Sequence, residues 1–341
     1  MSETTLDEAY ARLHATGPEW GGNLSNHGPM AAEVLARRGH ADDVPAWVDA
    51  YLRRLDELPA PREAIGDANW PDAIGDWTRV GDWTAYLVRQ VSEQGWREVL
   101  TTWWPRLLPG IAAGATHSVI RTGHAVRTLL TEQSAPALEE LGYAVGYWAA
   151  RSTRVPGVRA PAGPLDPGAA LDAVPHIPDQ EGPIAGRLTR LGDLAGWPES
   201  TAALRPAADP DEAHARIVEL VDAATLRYLA YGYGSPVLLV HTATAPNAVL
   251  HVLPVLPREM WAPSLGAVWA ASAAITSTYA PAVPRDERTP APAGVDDVVE
   301  QAVANGDEHV IKFADTAVDV YARTGNPDAL AAAAHVRELI G

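Results

Sequence analysis

The stretch DWTAYLVRQVSEQGWREVLTTWWPRLLPG, residues 82–110, decides the fold class. Its apolar residues recur at helical spacing and its polar residues lie between them, so both halves are amphipathic helices. Gly95 divides them. The same period continues outward. Helices are expected at 7–17, 25–40, 43–58, 113–130 and 134–152. A second set is expected at 211–231, 235–251, 264–280, 295–305, 307–323 and 327–340. Pro29 stands near the first helical position of 25–40, and Gly17 and Gly39 end their helices. There is no run of alternating strands, no βαβ rhythm and no clear internal repeat. The expectation is an all-α fold, one large multi-helix domain over 1–341. Its irregular connections are Pro-rich: 153–184, read as a loop or lid, and 281–294, read as a short linker.

Composition narrows the function. Hydrophobic residues make up 47% of the 341, and 43 acidic residues face 26 basic ones for a net charge of −17. Such a surface repels phosphate backbones and anionic headgroups, which argues against nucleic acid and membrane partners. Residues 228–257 and 260–284 contain no charge. Prolines and glycines break the first and small residues dominate the second, so both read as helices buried in a soluble core. The chain has no Cys, which removes disulfides, thiolate nucleophiles, iron–sulfur clusters and thiolate-ligated haem. The start MSETTLDEAY is acidic and lacks the apolar run of a secretory signal, so the cytoplasm is the expected location. No Walker-type loop, G-x-G-x-x-G after a strand, G-x-S-x-G or H-E-x-x-H occurs.

The chemistry that remains lies in the 11 histidines and one lysine. His27 precedes the helix that Pro29 opens. His117, Arg121 and His124 share one face of a helix. His241 lies deep in the longest uncharged stretch, with His251 a weaker candidate ten residues on. His309 and Lys312, at i and i+3, are neighbours on one face. Each has an ordinary reading: a capping His, a solvated face, a core His bonded to a carbonyl, an exposed pair. Lys312 is the only lysine, and Phe313 beside it the only phenylalanine. A GC-rich genome writes surface lysines as Arg, which sharpens interest in the lysine that persists. A buried lysine can become a neutral amine and take up carbon dioxide as a carbamate; a guanidinium stays protonated. A metal would unite these residues, since neutral imidazoles suit iron, zinc and copper.

Four blocks carry a resemblance: LSNHGPMAAEVLARRG, GWREVLTTWWPRLLPGIAAGATHSVIRTGHAVR, LLVHTATAPNAV and DEHVIKFAD. Together they resemble the questin oxidase-like family, from about residue 10 to 325. The resemblance implies a mostly helical enzyme of aromatic polyketide metabolism. It implies oxygen-dependent, Baeyer–Villiger-type ring opening of anthraquinones and related compounds with no bound flavin and no haem. One branch looks like a non-haem iron dioxygenase with four His and a carboxylated Lys around Fe(II). Carried onto this chain, the ligands are His27, His117, His241, His309 and Lys312. Arg121 would hold a phenolate or carboxylate of the substrate, and His124 would move protons. Trp83, Trp103, Trp104 and Tyr279 would line the pocket. The partners implied are O2 and a small aromatic substrate, with NADPH as a candidate reductant; a homodimer is compatible with it. Where fungal members tend to read His-x-x-x-His, this chain has His117 and Arg121, with His124 three residues on. That departure bears on the substrate. The rivals are a metal-free enzyme using NADPH and O2, a zinc hydrolase, and a non-catalytic binder of aromatic metabolites.

Overall fold

The computed structural model describes residues 3–285 and 289–341. The chain is all-α and divides into two compact units. The first runs to Arg154 and includes Pro254–Pro257; the second holds Val155–Leu253 and Arg258–Gly341. The division falls at the start of the Pro-rich stretch 153–184.

The first unit contains α1 (Glu3–His14), α2 (Gly28–Arg37), α3 (Val44–Leu52), α4 (Trp70–Ala73), α5 (Val80–Gln94), α6 (Trp96–Leu107), α7 (His117–Leu129) and α8 (Ala135–Arg151). Gly95 separates α5 from α6 with φ 89°, a conformation that costs glycine little. A two-residue antiparallel pair, β1 (Glu19–Trp20) and β2 (Leu24–Ser25), leads into α2. The close contact of α5 with α8 depends on Gly142 and Gly146. A Cβ at 142 would lie 2.7 Å from the Val88 Cα, and one at 146 would lie 3.1 Å from the Thr84 Cα. Small residues four apart thus let two backbones meet over the buried Leu87 and Leu141.

The second unit contains α9 (Pro167–Asp172), α10 (Ile184–Arg190), α11 (Trp197–Ala202), α12 (Pro210–Tyr231), α13 (Pro236–Leu239), α14 (His241–Val252), α15 (Trp261–Tyr279), α16 (Val295–Asn305), α17 (Glu308–Thr324) and α18 (Pro327–Ile340). The long α12 packs on α14, α15, α17 and α18. The uncharged helices are core helices. One segment, Pro236–Val255, is long and apolar enough to cross a membrane, and 72% of it is buried inside the protein. Three hydroxyls of α15 are satisfied one turn back along the chain. Ser264, Thr276 and Thr278 donate to the carbonyls of Met260, Ser272 and Ala274 at 2.6, 2.8 and 2.7 Å.

The stretch 153–184 is fastened rather than looping free. Ile177 N–H donates to the Ser277 carbonyl at 3.0 Å and Ser277 Oγ to the Pro175 carbonyl at 2.6 Å. Gln180 Nε2 donates to the Ala280 carbonyl at 3.0 Å. Of the expected linker 281–294, residues 286–288 lie outside the described residues. The short helices α4, α9, α10 and α11 escape sequence reading because four to seven residues show too little of a 3.6-residue period.

Candidate metal ligands in each unit

The four candidate imidazoles share a local design. His27 caps α2, His117 and His241 are the first residues of α7 and α14, and His309 is the second residue of α17. A helix N-terminus carries partial positive charge, so it favours the neutral imidazole that ligates metals over imidazolium. All four are buried.

In the first unit the rings of His27 and His117 meet edge to face, with centroids 4.3 Å apart. His117 donates its Nδ1–H to the Gly114 carbonyl. That bond fixes the tautomer and leaves Nε2 as the nitrogen with a lone pair. The hydroxyls of Thr116 and Ser118, on either side of His117, are buried and have no hydrogen-bond partner among the described residues. A ligand oxygen would complete them.

In the second unit His241, with no exposed surface, meets His309 with centroids 5.8 Å apart. Asp307 caps α17, accepting the N–H groups of His309 and Val310 at 2.8 and 3.3 Å. The same carboxylate lies 3.3 Å from His309 Nδ1, which favours the tautomer protonated at Nδ1. Burial lowers the His309 pKa, and the opposing pull of Asp307 does not offset it. Lys312 follows one turn on, 1% exposed. Burial pushes its amine down to about 7 against the attraction of Glu308 and Asp307. Phe313 beside it packs on Tyr228, ring centroids 4.7 Å apart. Each unit therefore supplies buried imidazoles, the side-chain type that ligates metals, and the second adds an amine that is about half neutral at pH 7.

The residues expected to handle substrate have other partners. Arg121 forms a two-pronged ion pair with Glu140, Nε to Oε1 at 2.6 Å and Nη2 to Oε2 at 2.7 Å. It therefore meets an internal carboxylate where a substrate anion was expected, and its depth explains why: a buried guanidinium requires a counter-charge. His14 joins the same carboxylate through Nε2 at 2.8 Å and stacks on Tyr143 with centroids 4.2 Å apart. His124 donates from Nδ1 to Glu33 at 2.8 Å, and Arg127 Nε donates to the other oxygen at 2.8 Å. Burial alone would raise the Glu33 pKa; Arg127 and His124 overcome it and hold it at about 2.

The expected aromatic lining is core. Trp83 and Trp103 pack edge to face at 5.3 Å, and Trp104 meets Trp148 at 5.2 Å. Tyr279 is 7% exposed, with the Arg187 guanidinium 4.2 Å from its ring centre. His251, the weaker candidate, lies 4.0 Å from Asp319.

Sequence reading missed Glu33 and Glu140, the carboxylates that close the polar stripe of α7. The available signal was a lone acid inside an apolar helical run, PMAAEVLA. It also missed Asp307 as the group that orients His309. No protein-family model matches the chain, and no curated protein matches it either.

Proposed function

We propose that the chain is a non-haem iron(II)-dependent oxygenase that delivers oxygen to, and breaks, a C–C bond of an aromatic polyketide of the anthraquinone or hydroquinone type. The observation that carries the reading is Lys312. A lone lysine buried one turn from His309, with its amine held near pH 7, is where a carbamate can form. The neutral amine adds carbon dioxide, an N–C bond forms, a proton leaves, and the product is a carboxylate-like ligand that no arginine can provide.

His241, His309 and Lys312 are the ligands we assign from the second unit. His27 and His117 complete the set on the sequence resemblance to questin oxidase-like proteins. The chemistry within each unit suits the assignment, because His117 and His309 both commit Nδ1 to a neighbouring oxygen and keep Nε2 for a metal. Iron(II), when bound, supplies the one-electron chemistry that lets dioxygen react with a closed-shell phenol. The protein's part is to hold neutral imidazoles in fixed tautomers, to keep water from the buried amine, and to offer the Thr116 and Ser118 hydroxyls to a ligand oxygen.

The test is metal analysis of protein purified without chelator and then loaded anaerobically with iron(II). We expect one iron per chain, with no metal in Lys312→Arg or His241→Ala, and a carbamate carbon signal after equilibration with labelled bicarbonate. Oxygen uptake with hydroxyanthraquinones should follow iron content. Full metal content and activity in Lys312→Arg would refute the carbamate.

A further inference from the structure

Among the described residues, only two non-glycine positions have a left-handed backbone, and they are consecutive: Ala115 at φ 56° and Thr116 at φ 73°. Gly114 before them is also left-handed, at φ 53°. Three successive residues in this region are a strained turn, and Thr116 is the most costly of them because its branched Cβ crowds the backbone there. The next residue is His117. Strain of this kind persists only where the surroundings over-determine it, and it gathers at functional sites.

The turn has an identifiable product. The Gly114 carbonyl accepts twice from His117, from the backbone N–H at 3.1 Å and from Nδ1–H. One acceptor thereby sets both the start of α7 and the orientation of the ring. Position 114 admits no side chain, since a Cβ would lie 2.5 Å from Tyr147 Oη. That phenol is itself fixed. It donates to Glu19 at 2.9 Å, and it shares a hydrogen bond with Ser25 Oγ at 2.7 Å. Glu19 is in turn held by Arg151, whose Nε lies 2.7 Å from the same oxygen. Ser25 stands two residues before His27, at the end of β2. The Tyr147 hydroxyl therefore braces the approach to both imidazoles, His27 through Ser25 and His117 through Gly114.

We propose that the left-handed run Gly114–Thr116 and the Tyr147 hydroxyl form a positioning device that presets the His27–His117 pair as metal acceptors before any ion arrives. The proposal rests on the metal reading above, and its test separates the two. The device acts through the two imidazoles.

The experiment uses the full chain and three variants, Gly114→Ala, Ala115→Val and Tyr147→Phe. Cobalt(II) serves as the spectroscopic probe and circular dichroism as the check on folding. In the metal-free protein, nitrogen-15 NMR should show His117 in a single tautomer protonated at Nδ1. The variants should show mixed tautomers, and cobalt(II) affinity should fall about 10- to 100-fold, the range for lost support of a metal-binding His. Folded variants with wild-type affinity and an unchanged tautomer would overturn the proposal. If the wild type binds no metal, the tautomer decides alone. A single tautomer lost in the variants upholds the device while the metal reading fails; a tautomer mixture already present in the wild type defeats the device. Gly114→Ala and Ala115→Val keep the test informative should Tyr147→Phe not fold, because a Cβ at 114 or a branched Cβ at 115 disfavours the left-handed angles themselves.

Discussion

The polar seam of the first unit and the first turn of α17 in the second both bury charge-bearing side chains, by opposite means. In the seam each acid is matched. Glu140 meets Arg121 and His14, and Glu33 meets Arg127 and His124, through paired hydrogen bonds. Burial penalises those carboxylates, but the cations on them win and both pKa values fall. On α17 the balance is reversed. Burial outweighs the pull of Glu308 and Asp307, and the Lys312 pKa falls to about 7. The seam keeps its charges and holds helices together; α17 keeps an amine that can lose its charge and react. His14 ends α1 beside the Glu140 carboxylate, whereas the four candidate imidazoles stand at helix starts.

That contrast breaks most visibly at Lys312. In metal-free protein held without carbon dioxide, the unfolded chain binds more protons than the native one between pH 7 and 10.5, so stability rises with pH across that window. Lys312→Met should flatten the rise and stabilise the protein below pH 7, by up to about 5 kcal/mol. Urea unfolding at pH 6 and pH 10 checks it; a slope unchanged in the variant would mean that Lys312 is not the group responsible.

Glu140→Ala should act in the opposite direction. It leaves Arg121 buried without its counter-charge, a loss of about 3–5 kcal/mol in urea unfolding. Double substitution with Arg121→Met should recover much of that, and no recovery would show that the charge pair is not the cause.

Acid supplies the third test. The Glu33 pKa lies at about 2 against 4.5, so its contribution is present above pH 4.5 and is lost as pH falls through about 2. It amounts to about 3 kcal/mol. Acid unfolding of Glu33→Gln should lack this part of the slope below pH 4.5.

The smallest expected effect is at a helix start outside both regions. Ser134 caps α8 by accepting the Ala137 N–H at 3.3 Å. Ser134→Ala should cost about 1 kcal/mol and leave metal content unchanged. Loss of metal in that variant would mean that any weakening of the first unit abolishes metal binding, and the variants at 114, 115 and 147 would lose their meaning.

Much of the helical plan was legible. The helix expected at 327–340 is observed as Pro327–Ile340, that at 295–305 as Val295–Asn305, and that at 82–110 as a pair split at Gly95. Long amphipathic periods, glycine stops and N-terminal prolines are local signals, and they survive folding because each helix buries the face its pattern marks. The candidate imidazoles were legible as residue types. That His117 and His241 join His27 and His309 at helix starts became visible only with the helix boundaries. The partners were not legible. Glu33 is separated from His124 by 91 residues, and Glu140 from His14 by 126. No local period reports such a pairing, so Arg121 read as a substrate contact and Trp83 as a pocket wall, when both lie in the core.

The sequence by itself therefore determined an all-α chain, without cysteine chemistry, whose one lysine stands a turn from a histidine. Helix propensity, composition and i, i+3 spacing are properties of short segments. The tertiary structure alone decided that Lys312 is buried deeply enough to lose its charge, that Arg121 and His124 face carboxylates, and that a strained turn precedes His117. Desolvation and ion pairing depend on what surrounds a side chain, and those surroundings come from residues far away in the chain.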